Sequence, residues 1–233
     1  MIFLGGGLRP PPRTMTAVAA VPVKDFASAK QRLAAILTPA ERAALARAML
    51  EDVLEEVCAA RLRTVYVVTD DPEVGALAGR FPVTLLHEEE RRGHSEAVAL
   101  AQAAAVERGA GLFLTVPGDV PGVTAAELHT MLEAASSERA AVFVPSASGY
   151  GTNGALLRPP DAMTLKFGEP SFANHLTAAR RRGITPTVLR LVGLGLDIDT
   201  PDDVRALLDA GSPTRSRRLL SRWRMRERLT PRG

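Results

Sequence analysis

From Ala17 to Asp209 the chain alternates short apolar runs with longer stretches whose apolar residues recur at helical spacing. The apolar runs predict strands at Ala17–Val23, Thr64–Thr69, Val83–His87, Leu112–Val116, Ala141–Pro145, Ala155–Leu157 and Thr187–Val192. The longer stretches predict helices at Pro39–Cys58, Pro72–Gly79, Ser95–Arg108, Ala125–Ala135, Phe172–Arg182 and Pro201–Asp209. Thr38-Pro39 followed by Glu41 is a helix start, and Gly109 and Gly183 are stops. Strands that alternate with helices of this length predict an α/β fold, a mainly parallel Rossmann-like sheet with helices on both faces. Ligands bind such sheets beyond the carboxyl ends of the strands, so the loops after strands are the places to look for chemistry. No internal repeat interrupts the pattern.

Composition narrows the class. A chain of 233 residues, 46% hydrophobic and 24% charged, has the balance of a soluble globular protein. No apolar run approaches the roughly 20 residues needed to cross a bilayer, and the expected location is cytoplasmic. The single cysteine, Cys58, has no partner for an internal disulfide and reads as a small buried hydrophobe on a helix face. The net charge of +3 is unevenly spread: eight arginines against the single acid Glu227 fall in residues 214–233, so the remainder is acidic on balance.

Three segments follow: a Gly- and Pro-rich N-terminal extension over 1–14, expected to be disordered, a catalytic domain over 15–211, and a basic C-terminal tail over 212–233. The extension is not a signal peptide, because its apolar part is four residues long, and Met15 just before the first strand is an alternative start. Leu219, Leu220, Trp223 and Leu229 form a partial apolar stripe among the tail arginines. Such a stripe admits a remote alternative, an RNA- or membrane-binding protein acting through its tail.

Candidate chemistry concentrates in loops. In Leu196-Asp197-Ile198-Asp199-Thr200-Pro201, side chains of an extended segment alternate, so Asp197 and Asp199 share a face and Ile198 points away. Two carboxylates held together need a cation or a proton between them. Thr200 and Pro201 then read as N-cap and first position of the closing helix. Asp119, in Pro117-Gly118-Asp119-Val120-Pro121, follows the apolar strand Leu112–Val116 and lies near the same point. Asp119, Asp197 and Asp199 together make a hard oxygen site suited to Mg²⁺ and a nucleotide's phosphates. Beyond the first strand, Lys24, Lys30 and Arg32 supply three cations in nine residues, placed for a triphosphate. Gly149-Tyr150-Gly151-Thr152-Asn153 lets backbone approach a ligand, and Gly168-Glu169-Pro170-Ser171 opens a helix whose N–H groups attract carboxylate or phosphate. His175, one turn into that helix, reads as a packing or surface histidine. No Ser/His or Cys/His arrangement points to a protein nucleophile.

Six pieces in order (VPVKDFASAKQRL, TPAERAALARAMLEDVL, PGDVP, GYGTN, FGEPSFANH and LDIDTPDD) resemble the CofC/FbiD family, the guanylyltransferases of coenzyme F420 biosynthesis. The resemblance covers about residues 17 to 210. It implies the nucleotide-diphospho-sugar transferase (GT-A or MobA-like) fold. It further implies a Mg²⁺-dependent transfer of GMP from GTP to 2-phospho-L-lactate, phosphoenolpyruvate or 3-phosphoglycerate, with release of pyrophosphate. By the same resemblance Asp119, Asp197 and Asp199 hold the metal, and Thr152, Gly168 and Ser171 bind the acid's carboxylate end. Lys24, Lys30 and Arg32 lie along the phosphates as catalytic cations. Two segments depart from the family's pattern: Gly93-His94-Ser95-Glu96-Ala97 stands where G-L-N-x-A is common, and Ser146-Ala147 where Asp-Arg often precedes the glycine loop. The expected partners are GTP and a small phosphorylated carboxylic acid, with no role for nucleic acid or membrane; a homodimer stays open. The alternative is an enzyme of the same fold using another nucleotide or acceptor.

Overall fold

The computed structural model describes residues 16–87 and 93–230. The expected 1–14 extension and Arg232 lie outside the described residues. Among the described residues seven strands form one sheet: β1 (Ala17–Pro22), β2 (Thr64–Val68), β3 (Thr84–Leu86), β4 (Leu112–Thr115), β5 (Ala140–Pro145), β6 (Thr152–Arg158) and β7 (Thr187–Val188), in the order β3-β2-β1-β4-β6-β5-β7. Only β6 runs antiparallel to its neighbours β4 and β5; the other pairings are parallel. The helices are α1 (Pro39–Ala59), α2 (Pro72–Ala78), α3 (His94–Glu107), α4 (Ala125–Ala134), α5 (Ser171–Arg181), α6 (Val192–Gly195), α7 (Pro201–Asp209), α8 (Arg215–Arg222) and α9 (Met225–Arg228).

Strand alternation sorts the core into two layers. Ala17, Ala19 and Val21 of β1 face Leu45, Met49, Leu50 and Val53 of α1, in the layer that also takes α2, α4, α7 and α8. Val18 and Ala20 face the opposite way, onto Ala97, Val98 and Ala101 of α3, in the layer closed by Ala179 of α5. The predicted mainly parallel sheet with helices on both faces is therefore the observed one.

Two predicted boundaries move by three residues or more. β6 begins at Thr152 instead of Ala155: its first two residues are polar but buried, each with an internal partner, so they belong to the sheet rather than the glycine loop. β7 is only two residues long, and Val192, predicted to end it, instead opens α6. That short turn is capped from outside, its Gly193 and Leu194 N–H groups donating to the Glu127 carboxylate at 2.8 and 3.1 Å. Gly193 also packs against Gly122 so closely that a Cβ would lie 1.9 Å from the Gly122 carbonyl oxygen. Cys58 is half-buried at the edge of the core rather than inside it.

The basic C-terminal residues fold onto the domain. Asp52 of α1 is buried and accepts hydrogen bonds from Arg215 N, Ser216 N and Ser216 Oγ, at 2.7, 2.9 and 2.7 Å. Leu220 and Met225 are fully buried. Arg226 pairs with Asp209 and Arg228 with Glu41, both at 2.7 Å, and Arg215 pairs with Glu55. Among the described residues no helix is long and apolar enough to cross a membrane.

Candidate active site

The loop after β1 is shaped by its own sequence. Asp25 accepts from Ser28 N and Ser28 Oγ at 2.6 and 2.7 Å, and buried Phe26 anchors the turn in the core. The chain then passes through Lys30 in a left-handed conformation, φ 57° and ψ 42°, before a 3₁₀ turn at Gln31–Leu33. A non-glycine residue held there costs about 1–3 kcal/mol and is found where the surroundings enforce it. Here the enforcement is electrostatic: Lys30 Nζ donates to Asp119 Oδ2 at 2.6 Å and to Asp199 Oδ1 at 2.8 Å.

Those two carboxylates meet for a structural reason. Asp119 lies just beyond β4, and its carbonyl accepts from Ile198 N at 3.1 Å, tying that loop to the segment 197–199. Ile198 is fully buried, so its neighbours Asp197 and Asp199 turn the other way, as the alternation predicted. The segment is not a strand. It is fixed downstream by Thr200, N-cap of α7, whose capping-box partner Asp203 accepts from Asp199 N at 3.1 Å as well as from Thr200 N at 2.7 Å.

Charge in this cluster is finely balanced. Burial works to lower the Lys30 ammonium, but Asp119 and Asp199 outweigh it and hold it above its ordinary value. Burial likewise works to raise Asp119, and Lys30 reverses it, keeping the carboxyl below the usual range. Asp197 behaves differently: burial pushes its carboxyl up, against the hydrogen bond it accepts from Asn153 Nδ2 at 2.9 Å, with Asp119 and Asp199 adding to the rise. Among the described residues no three His, Cys, Asp or Glu side chains form a metal-binding group as they stand. The Lys30 ammonium sits between two of the three aspartates, and Asn153 holds the third.

Two adjoining clefts share His94, Pro117, Asp119 and Asp199 as a common wall. The smaller, of about 340 Å³, is lined by the 22–30 loop with Lys24 and Lys30. The larger, of about 620 Å³, takes Arg32, Thr152, Gly168, Ser171, Asp197 and Asp199. The three aspartates and the three residues predicted for the acid thus face one cavity. The predicted cations divide: Lys24 and Arg32, both exposed, line different clefts on either side of Lys30. Gly168 has φ 110°, a backbone conformation that side-chain-bearing residues rarely adopt. Ser146 pins the glycine loop, its Oγ accepting from Gly151 N at 3.0 Å.

Outside the predicted set, His94 lines both clefts and His175 backs the cleft residue Thr152. His94, first residue of α3, packs edge-on against Phe167 with ring centroids 4.6 Å apart. Burial lowers its imidazole's pKa, Asp119 opposes that, and Lys24 reinforces it. His175 is buried beneath the larger cleft and hydrogen-bonded to Thr152. Nothing in the local sequence distinguishes a histidine that packs from one that also bonds a cleft residue, since both occupy an inward-facing helix position.

A mostly parallel sheet with carboxylates and cations gathered beyond its strand ends places the chain in the α/β class of fold that binds ligands at that end. The solved structure of a proposed nucleotide-diphospho-sugar transferase from Desulfovibrio desulfuricans G20 shares it, at a TM-score of 0.74 and 16% identity over 92% of this chain and 98% of that one. Within that class the chain belongs to a family described as "Guanylyl transferase CofC like", which matches residues 17–230 and so includes α8 and α9. A phosphoenolpyruvate guanylyltransferase of Sphaerobacter thermophilus is 43% identical over 201 residues, 83% of this chain and 93% of that protein. A 2-phospho-L-lactate guanylyltransferase of Methanothermobacter thermautotrophicus is 35% identical over 90% of this chain and 92% of its own length. A 3-phospho-D-glycerate guanylyltransferase of Phenylobacterium zucineum is 32% identical, covering 89% and 99%.

Proposed function

We propose that this enzyme is a Mg²⁺-dependent guanylyltransferase that joins GMP from GTP to a three-carbon phosphorylated acid, releasing pyrophosphate. The observation that carries the reading is the shared wall of the two clefts. There Asp119 and Asp199 hold a cation between them, while Thr152, Gly168 and Ser171 stand across the larger cleft. The family membership and the three relatives' names supply the nucleotide and the acid class. Assignment to coenzyme F420 biosynthesis rests on the family resemblance.

The donor set suits magnesium. Mg²⁺ prefers hard oxygen and is usually bound by one or two carboxylates plus substrate phosphates, not by an all-protein cage. The Lys30 ammonium marks a position where a cation already bridges Asp119 and Asp199, and Asp197 adjoins them. Mg²⁺ held by these carboxylates would neutralise charge developing on the transferring phosphoryl group.

The chain's own residues do the rest. Lys24 and Lys30 bind the triphosphate in the smaller cleft, and Arg32 reaches the phosphates from the larger one. Thr152, Ser171 and the Gly168 backbone hold the acid's carboxylate end, orienting its phosphate toward the shared wall. A phosphate oxygen of the acid attacks the α-phosphorus of GTP, the bond to the β-phosphate oxygen breaks, and pyrophosphate departs. Phosphate is already a competent nucleophile, so positioning and charge neutralisation suffice. Asp119→Asn should lower the rate of pyrophosphate release from GTP and phosphoenolpyruvate by at least about 100-fold, with the thermal melt retained. An unchanged rate in that variant would remove Asp119 from the chemistry.

A further inference from the structure

We propose that His175 is a positioning residue that fixes the direction of the hydroxyl hydrogens of Thr152 and Ser171, so that the pair offers a donor to the acid's carboxylate. The inference rests on the reading that these hydroxyls bind that carboxylate.

A buried chain of donors and acceptors runs from Lys166 N–H through His175 and Thr152 to Ser171. Lys166 N–H, which can only donate, lies 3.1 Å from His175 Nε2. Nε2 therefore carries a lone pair, and the neutral ring keeps its proton on Nδ1. Nδ1–H in turn lies 3.0 Å from Thr152 Oγ1, which must accept. Ser171 Oγ lies 3.3 Å from the same Thr152 oxygen. Two hydroxyl hydrogens remain, and the bond between the hydroxyls uses one of them in either orientation. The other has nowhere to go inside the protein and points into the larger cleft, which both residues line.

The reverse tautomer would invert this outcome. With a bare Nδ1, Thr152 would donate to the ring and Ser171 to Thr152, leaving lone pairs facing an incoming carboxylate. Lys166 N–H opposes that tautomer, and packing holds the ring in the orientation that keeps Nε2 facing it. Phe143 stacks on the ring with centroids 5.3 Å apart and planes 6° apart, and Phe167 meets it edge-on at 5.1 Å. His175 is 1% exposed, and its burial also disfavours the doubly protonated ring.

Two amide variants separate the ring's two functions. Asn at this position places an NH₂ near Nδ1 and keeps the donor to Thr152. Gln places its carbonyl near Nε2 and keeps only the acceptor for Lys166 N–H. In the full chain, with Mg²⁺, GTP and phosphoenolpyruvate, 2-phospho-L-lactate or 3-phosphoglycerate, whichever turns over, His175→Gln should raise the acid's KM about tenfold more than His175→Asn does. The KM for GTP should move in neither. Equal KM changes in the two variants would overturn the proposal, because a packing role does not distinguish them. Thr152→Val tests the underlying reading: an unchanged acid KM there would remove Thr152 from the acid site, whatever the His175 variants do. Should either His175 variant fail to fold, ¹⁵N spectra of histidine-labelled wild-type protein decide. The Nδ1–H tautomer supports the inference, and an Nε2–H tautomer overturns it.

Discussion

Lys30 answers two demands at once. It neutralises Asp119 and Asp199 in the present arrangement, and it stands where phosphates and a divalent cation would come together. A metal bound there would compete with the ammonium for the same two carboxylates. Lys30→Met should lower turnover by about 100-fold through lost charge neutralisation, yet enlarge the rise in melting temperature produced by added Mg²⁺. A variant that lost its response to Mg²⁺ would show that Lys30 builds the cation position instead of sharing it. At this scale the sequence was informative about charge and silent about pairing. Asp119, Asp197 and Asp199 were legible because carboxylates after strands converge in such folds. That Lys30 would bridge two of them, while Lys24 and Arg32 parted to separate clefts, depends on one left-handed residue that the sequence does not mark. Asn153 was legible only as a polar loop residue; its bond to Asp197 exists because β6 starts three residues earlier than the apolar run suggests.

The helices and strands hold the site by their ends. Thr38, Thr124 and Thr200 each close a capping box, and the last of these shares Asp203 with the backbone of Asp199. Glu127 caps its own helix and also α6, the turn that delivers the chain to Asp197. The starts at Thr38 and Thr200 were readable from Thr-Pro; the cap at Thr124 was not read, and α6 was not foreseen, because its cap comes from a residue 66 positions away. The basic C-terminal segment shows the same limit. Its apolar stripe was visible, but its docking depends on Asp52, an acid inside a long helix with no local sign of burial. Asp52→Ala leaves two N–H groups and a hydroxyl without their acceptor. It should destabilise the protein by about 3 kcal/mol in urea unfolding, and a loss under about 0.5 kcal/mol would mean that α8 is only loosely held.

Across the whole molecule, the loops after β1, β4 and β5 leave the same end of the sheet, as the alternation of apolar runs with helices predicted, whereas the antiparallel course of β6 was not legible in it. One buried group gives the fold a defined pH dependence. Burial holds His175 at a pKa of about 4 against an ordinary 6.5. Between those values the unfolded chain binds a proton that the folded one refuses, so stability is fully present above about pH 6.5 and falls as the pH drops toward 4. The difference corresponds to about 3 kcal/mol, and urea midpoints at pH 7, 5 and 4 should trace it in the wild type and lose that portion in His175→Asn. A flat profile in the wild type would place the ring in solvent contact.

Pyrophosphate release tests the proposed reaction most directly. The purified full chain, with Mg²⁺, would be offered GTP, CTP, ATP and UTP, each against 2-phospho-L-lactate, phosphoenolpyruvate and 3-phosphoglycerate. Release with GTP and at least one of these acids, and not with GTP alone, is the predicted result. Release with another nucleotide in place of GTP, or none from folded protein across all twelve pairs, would contradict it.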